Sequence, residues 1–184
     1  MKIDQETGKE LVNTATAVIQ SNIRYGKIYR VLSPNRIFEE NLGVFVTIKE
    51  NDMLRGCIGY IDPPWKLRET IVNASIASAT EDPRFTPVKE RELDNITVEV
   101  TILDHPEQIR IAGKQDFGKI EIGKHGLIIE YGHNKGVLLP QVAVEESLDP
   151  EAFLDATCEK AGLHPKCWQE RGCKVYRFAG YVFG

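Results

Sequence analysis

The apolar positions of this chain switch between two periods. From about Asp4 to Asn22, Leu11, Ala15, Val18, Ile19 and Asn22 recur at helical spacing, which predicts an amphipathic helix whose first turns Gly8 weakens. From Gly43 the period becomes two. Gly43–Lys49 and Leu54–Tyr60 predict two strands joined by the polar turn Glu50-Asn51-Asp52. Val44, Val46 and Ile48 share one face of the first strand, Phe45 and Thr47 the other. Asp62-Pro63 is a helix start, because Asp caps free N–H groups and Pro suits the first turn. The helix is predicted over about Pro64–Ala79, with Leu67, Ile71 and Ala74 inward, stopping before the turn Asp82-Pro83-Arg84-Phe85.

Thr86-Pro87 repeats the start signal for a short helix ending near Leu93. Thr97–Leu103 alternates cleanly and predicts a strand. Beyond Pro106, further strands are predicted around Ile109, Ile120, Gly126–Tyr131 and Gly136–Leu139. The run from Tyr131 to Gly136 reads as a hairpin loop, and Pro140 ends the pairing. Asp149-Pro150 opens another helix to about Ala161, with Gly162 as its stop. Lys174–Phe183 is a last strand. Strands and helices come in blocks rather than in βαβ alternation, so the expected fold class is α+β with a mainly antiparallel sheet.

Composition narrows the function classes. The 184 residues carry a net charge of −4, which argues against dependence on nucleic-acid phosphates. No apolar run is long enough for a membrane helix, and the start MKIDQETGKE lacks the apolar stretch of a signal peptide, so a cytoplasmic setting is expected. In that setting the four cysteines, Cys57, Cys158, Cys167 and Cys173, are expected to be reduced thiols. A Cys167–Cys173 pair is sterically conceivable but disfavoured by the compartment. The spacing of the last three, with His164 among them, does not suit the common zinc knuckles, so no metal site is expected. No Gly-rich phosphate loop of the Walker or dinucleotide type is present, and the sequence leaves any cofactor unknown.

The stretch with chemical potential is Leu54-Arg55-Gly56-Cys57-Ile58-Gly59-Tyr60. On an extended strand Arg55, Cys57 and Gly59 share a face, and a fixed cation near a thiol favours the thiolate. Gly56 and Gly59 permit close backbone approach, as to a ligand, or supply the freedom that a bulge needs. The same residues also describe a packed thiol in a core strand whose glycines make room for a helix. A nucleophilic thiol needs a base. Among the four histidines, His125, in Gly123-Lys124-His125-Gly126, is the first candidate and His105 the second; His133 sits at a hairpin tip and His164 at a helix exit. Asp82 and Arg84 read either as a pocket rim or as a rigid turn plugged by Phe85. Gln141, inside the apolar run Leu138–Ala143, reads a ligand or ties down a loop.

Leu54-Arg55-Gly56-Cys57-Ile58-Gly59 resembles the signature hexapeptide of the AMMECR domain family, named after a human chromosomal-region protein linked to Alport syndrome, midface hypoplasia and elliptocytosis. Matching blocks follow in order: Gly43–Thr47, Asp82–Val88, Ile122–Leu127, Leu138–Ala143, Phe153-Leu154 and Lys160–Leu163. The resemblance implies a stand-alone prokaryotic-type member and a single domain of two packed lobes. It further implies a barrel-like sheet and an origin in duplicated β-β-β-α-α units. It implies no particular reaction. It also implies partnership with a dioxygenase-like Memo protein and a radical SAM protein, in a system called AmmeMemoRadiSam. The expected site is therefore Cys57 as nucleophile or covalent carrier with His125 as base, and Arg55, Gly56, Gly59, Arg84 and Gln141 contacting a small molecule or modified protein. The alternative is a non-catalytic ligand-binding or interaction module. A homo-oligomer is compatible with the sequence, but no heptad pattern supports one.

Overall fold

The computed structural model describes residues 3–184 and divides them into two compact units. Of the described residues, unit 1 comprises 3–103 with 181–184, and unit 2 104–180. The protein is α+β, and every strand pairing described below is antiparallel.

In unit 1, helix α1 (Gln5–Tyr25) starts where the Asp4 carboxylate accepts the Thr7 N–H at 2.8 Å. It ends at Gly26, which takes the left-handed conformation that glycine tolerates. Gly8 does more than weaken the first turns: a Cβ there would lie 2.1 Å from the Phe183 ring, so the glycine admits that side chain. Strands β1 (Gly43–Glu50) and β2 (Met53–Tyr60) form a hairpin on the two positive-φ residues Asn51 and Asp52. Strand β3 (Ile96–Leu103) pairs along the other side of β1, leaving β2 at the edge.

Helix α2 (Leu67–Thr80) packs on β1 and β2, and α1 packs on β3 and α2. Val44, Val46, Ile48, Val100 and Ile102 from the strands meet Leu11, Val18, Leu67 and Ile71 from the helices in one buried core. The helix begins three residues later than its sequence signal. The Glu40 carbonyl takes the Leu67 N–H at 2.7 Å, and Asn41 Nδ2 donates to the Trp65 carbonyl at 3.1 Å. Long-range bonds thus hold 64–66 out of the helix against the local preference of Asp62-Pro63. The short helix expected after Thr86-Pro87 is one 3-10 turn, Glu90–Glu92.

In unit 2, strands β4 (Glu107–Ile109), β5 (His125–Tyr131), β6 (Asn134–Leu138) and β7 (Lys174–Phe183) run in the order β6-β5-β7-β4, with the last three residues of β7 belonging to unit 1. The strand expected around Ile120 is instead a 3-10 helix, Lys114–Lys119, followed by a turn, with Ile120 as a buried plug. Pro140 does not merely end a strand: it occupies the first turn of helix α3 (Pro140–Glu145). Helix α4 (Pro150–Lys160) is capped by Asp149, as its sequence signal indicates, and packs on β5 and β6. No helix among the described residues is long and apolar enough to cross a membrane.

The expectation of four reduced thiols is corrected here. The last turn of α4 and the 3-10 turn Cys167–Gln169 bring Cys158 and Cys167 to a Cα separation of 6.0 Å, where they form a disulfide inside the unit 2 core. Cys57 and Cys173 remain free.

Both units place a glycine where a helix meets a hairpin. A Cβ on Gly56 of β2 would stand 2.1 Å from the Ser78 carbonyl oxygen of α2, and one on Gly136 of β6 would stand 2.5 Å from the Thr157 carbonyl oxygen of α4. Neither backbone can yield cheaply. Gly56→Ala should therefore lower stability by about 1–3 kcal/mol in denaturant unfolding, the usual penalty of overpacking; an unchanged midpoint would contradict this contact. Cys158→Ser should cost roughly 2–3 kcal/mol through the lost chain constraint, measured the same way against reduced wild type, in which the difference should vanish.

Candidate functional site

Cys57 owes its position to an irregularity in β2. Ile48 pairs with Gly56 but Lys49 pairs with Leu54, so Arg55 has no partner across the hairpin. This is a β-bulge, one extra residue that shifts register and re-aims side chains. Its first effect falls on Arg55. The Arg55 Nε donates to Glu92 Oε1 at 2.8 Å, with both side chains largely buried, and the second Glu92 oxygen accepts the Lys89 N–H at 2.7 Å. The Arg55 hydrogen bond, against the opposing cost of burial, holds the Glu92 carboxyl below its usual range. The cation expected beside the thiol is thus committed to a structural ion pair.

The second effect falls on Cys57, which pairs with Thr47. Its Sγ lies 3.3 Å from Thr47 Oγ1 and the side chain is half-buried. Thr47 in turn pairs with Glu99 of β3, where Lys49 Nζ meets Glu99 Oε1 at 2.6 Å. The thiol therefore stands in a polar row on the face of the sheet opposite Val46 and Ile48.

The two flanking glycines are accounted for by the chain itself. Gly56 admits the end of α2, whose Ser78 hydroxyl accepts the Ile58 N–H at 2.8 Å and donates to the Val46 carbonyl at 2.7 Å. Gly59 admits Phe45, whose ring would stand 2.4 Å from a Cβ. Both close approaches are packing contacts.

The cation at Cys57 is Arg84. The turn Asp82-Pro83-Arg84-Phe85 docks on β2 through Asp82, which is 5% exposed. One Asp82 oxygen accepts the Cys57 N–H at 2.8 Å and Arg84 Nη2 at 2.7 Å; the other accepts Arg84 Nε at 3.0 Å and the Arg84 N–H at 3.1 Å. Arg84 Nη2 also reaches the Cys57 carbonyl at 3.3 Å, and its guanidinium lies 5.5 Å from the Phe85 ring centroid. The Arg84 hydrogen bonds hold the Asp82 carboxyl far below its ordinary range despite burial, and the Asp82 bond raises Arg84. Four hydrogen bonds to one carboxylate make this turn rigid, and it sets the Arg84 guanidinium against the Cys57 backbone. The Arg84 side chain is 54% exposed.

His125 and Gln141 belong to unit 2, as do all four histidines of the chain, so unit 1 holds no imidazole. His125 is half-buried at the start of β5. Burial first, then the charges of Arg177 and Lys124, push its pKa down, so the ring is neutral. Its Nδ1 accepts the Glu121 N–H at 3.0 Å, which places the proton on Nε2 and leaves the unprotonated nitrogen engaged. That is not the arrangement of a free general base. Gln141 lies exposed on the first turn of α3 rather than inside the apolar run, because Pro140 converts that run into a helix. Among the described residues, no group of three or more His, Cys, Asp or Glu side chains stands in position to hold a metal ion.

An edge strand thus carries a bulged Arg-Gly-Cys, clamped by an Asp-Pro-Arg turn that follows helix α2. The AMMECR1 family profile matches residues 12–183, and the chain belongs to that family. A Methanosarcina mazei protein is 46% identical, with 98% of this chain and 92% of that protein covered. A Thermococcus onnurineus protein is 43% identical, covering 99% of this chain and 92% of its own. The crystal structure of an uncharacterised Pyrococcus horikoshii protein is 42% identical and superposes with a TM-score of 0.85, over 99% of this chain and 93% of that one.

Asp82 ties three things together, so Asp82→Asn should lower stability by about 1–3 kcal/mol at neutral pH, as expected when a charged hydrogen-bond acceptor is weakened. Because the folded carboxyl is depressed, its contribution is complete above the unfolded value near 3.9 and disappears only as pH falls below it. The stability gap between wild type and variant should therefore narrow steadily as pH falls below about 4 and be clearly smaller at pH 2 than at pH 7; a constant gap from pH 7 to pH 2 would refute the assignment.

Proposed function

We propose that unit 1 carries a thiol-centred site at which an anionic ligand is anchored by Arg84 and attached to, or inspected by, Cys57. One observation carries the reading: a buried carboxylate fixes a guanidinium at the backbone of the cysteine, yet leaves that side chain more than half exposed. A preorganised cation costs little side-chain entropy on binding. Thr47 orients the thiol. In the covalent form of the proposal Cys57 Sγ adds across a polarised double bond of the ligand: the S–C bond forms as the π bond breaks, the thiol proton passes to solvent, and the atom that receives the π electrons takes a proton from solvent. Arg55, His125 and Gln141 have no role in this reading, and Gly56 and Gly59 act by packing.

A second reading, a non-catalytic ligand-binding or interaction module, is favoured by the lack of an imidazole in unit 1 and by the depressed pKa of Asp82, which make both poor sources of a base. In both readings the setting is the cytoplasm, and the Memo-like and radical SAM proteins implied by the family resemblance are the partners that would deliver or receive the ligand.

Alkylation tests the site. Cys173 serves as an internal comparator, because burial and the Glu170 charge push its thiol up. In folded protein, peptide mapping should show Cys57 modified faster than Cys173. The anionic reagent iodoacetate should gain on neutral iodoacetamide at Cys57, and Arg84→Gln should lower that ratio about fivefold, the worth of roughly 1 kcal/mol of charge attraction at contact distance in water. A ratio unmoved by the substitution would remove Arg84 as an anchor.

A further inference from the structure

An apolar surface of unit 1 away from Cys57 is the strap that runs from the last residue of α1 to Leu32. Tyr25, Ile28, Tyr29 and Leu32 are 69%, 77%, 40% and 74% exposed, four large apolar side chains within eight residues. Isolated exposed apolar residues need no explanation, but a contiguous group of this kind marks a contact surface. The strap is not loose. Val31 is buried in the core, with Arg68 Nη1 donating to its carbonyl at 3.4 Å. At the far end Ser33 Oγ bonds Glu10, and Asn35 Nδ2 donates to Thr7 Oγ1 at 3.2 Å and to Glu10 Oε2 at 3.0 Å. At the near end the Ser21 hydroxyl donates to the Lys27 carbonyl at 3.2 Å. Apolar side chains held out on a pinned backbone are presented, not frayed.

Two clefts flank the strap. One, of about 410 Å³, lies toward α2 and is walled by Ile28, Tyr29, Arg30, Arg68, Glu69 and Val72. The other, of about 720 Å³, lies toward α1 and is walled by Tyr29, Leu32, Lys9 and Thr14, with Glu6 and Glu10 contributing acid groups. The charge on the strap itself is positive in a chain of net charge −4. Arg24 is met by Asp94 at 3.6 Å and Glu90 at 4.0 Å, whereas neither Lys27 nor Arg30 has an acidic partner within ion-pair distance among the described residues.

We infer that residues 25–32 are a docking surface for an acidic, amphipathic segment of a partner protein. Its apolar side chains enter the two clefts and its carboxylates meet Lys27 and Arg30. Concave clefts on both sides of a ridge fit side chains of a peptide, and a flat lipid leaflet offers none to fill them. A second copy meeting this surface about a two-fold axis would bring the same cations together. The surface is separate from Cys57 and Arg84, and the inference does not depend on the function proposed for them.

A phage-displayed library of random peptides, selected on the full chain and counter-selected on the I28S/L32S variant, supplies the probe. Enriched sequences should combine Asp or Glu with Leu, Ile or Phe. The leading synthetic peptide, followed by fluorescence anisotropy, should bind K27E/R30E at least tenfold more weakly than wild type and should not bind I28S/L32S. Both variants should keep wild-type Cys57 alkylation rates, which shows the fold and the thiol site intact. Four results would each overturn the inference: no enrichment, enrichment of basic or uncharged sequences, dimerisation in sedimentation that I28S/L32S abolishes, or a preference for phosphatidylglycerol-containing vesicles over the selected peptide.

Discussion

The candidate site depends on one residue more than the hairpin needs. Counting outward from the Asn51-Asp52 turn, an unbroken ladder would set Cys57 opposite Val46, a core residue with no exposed surface. The bulge at Arg55 moves every later residue of β2 by one position. It transfers the thiol to the face shared by Thr47, Lys49 and Glu99, and puts Gly56 opposite buried Ile48 on the face that receives α2. A single register shift in a period-two element inverts the destination of each side chain. The same shift leaves Arg55 unpaired, free to reach Glu92 and secure the segment that leads into β3.

That inversion is coupled to helix packing. Had an ordinary side chain faced Ser78, α2 could not have approached β2 closely enough for its hydroxyl to join β1 and β2. The turn Asp82–Phe85, which leaves the end of α2, could not then have met the Cys57 backbone. The arginine at the cysteine is thus placed by a chain of backbone contacts beginning at a glycine. Unit 2 uses the same device at Gly136, which faces buried Ile129 across its hairpin and receives the end of α4. There the position corresponding to the edge clamp carries no such acid-arginine turn, since α4 runs instead into the segment closed by the Cys158–Cys167 bridge.

Much of this architecture was legible in the sequence because it follows from local rules. The helical period that begins near Asp4, the Asp149-Pro150 start, the polar turn Glu50-Asn51-Asp52 and the alternation in β3 each locate an element within a few residues. What escaped was decided at long range. Glu40 and Asn41 overrode the Asp62-Pro63 start, a lone buried Ile120 imitated a strand, and α3 hid behind the proline that opens it. At the site, alternation put Arg55 with Cys57 because a bulge leaves no mark in an apolar pattern. Asp82 and Arg84 were visible as residues, but their tie to Cys57 spans 25 positions or more and appears only once α2 is folded. The disulfide was missed for a similar reason: reasoning from compartment cannot see that two thiols face one another in a core.

The clamp at Cys57 has a bearing on how anything could come near. An unpaired outer strand ordinarily invites another chain to join it rung by rung, through its outward amide and carbonyl groups. At Cys57 both those groups are already spoken for, the amide by Asp82 and the carbonyl by Arg84. A visitor is thereby denied lateral annexation at this rung and must descend onto the sulfur from above the sheet.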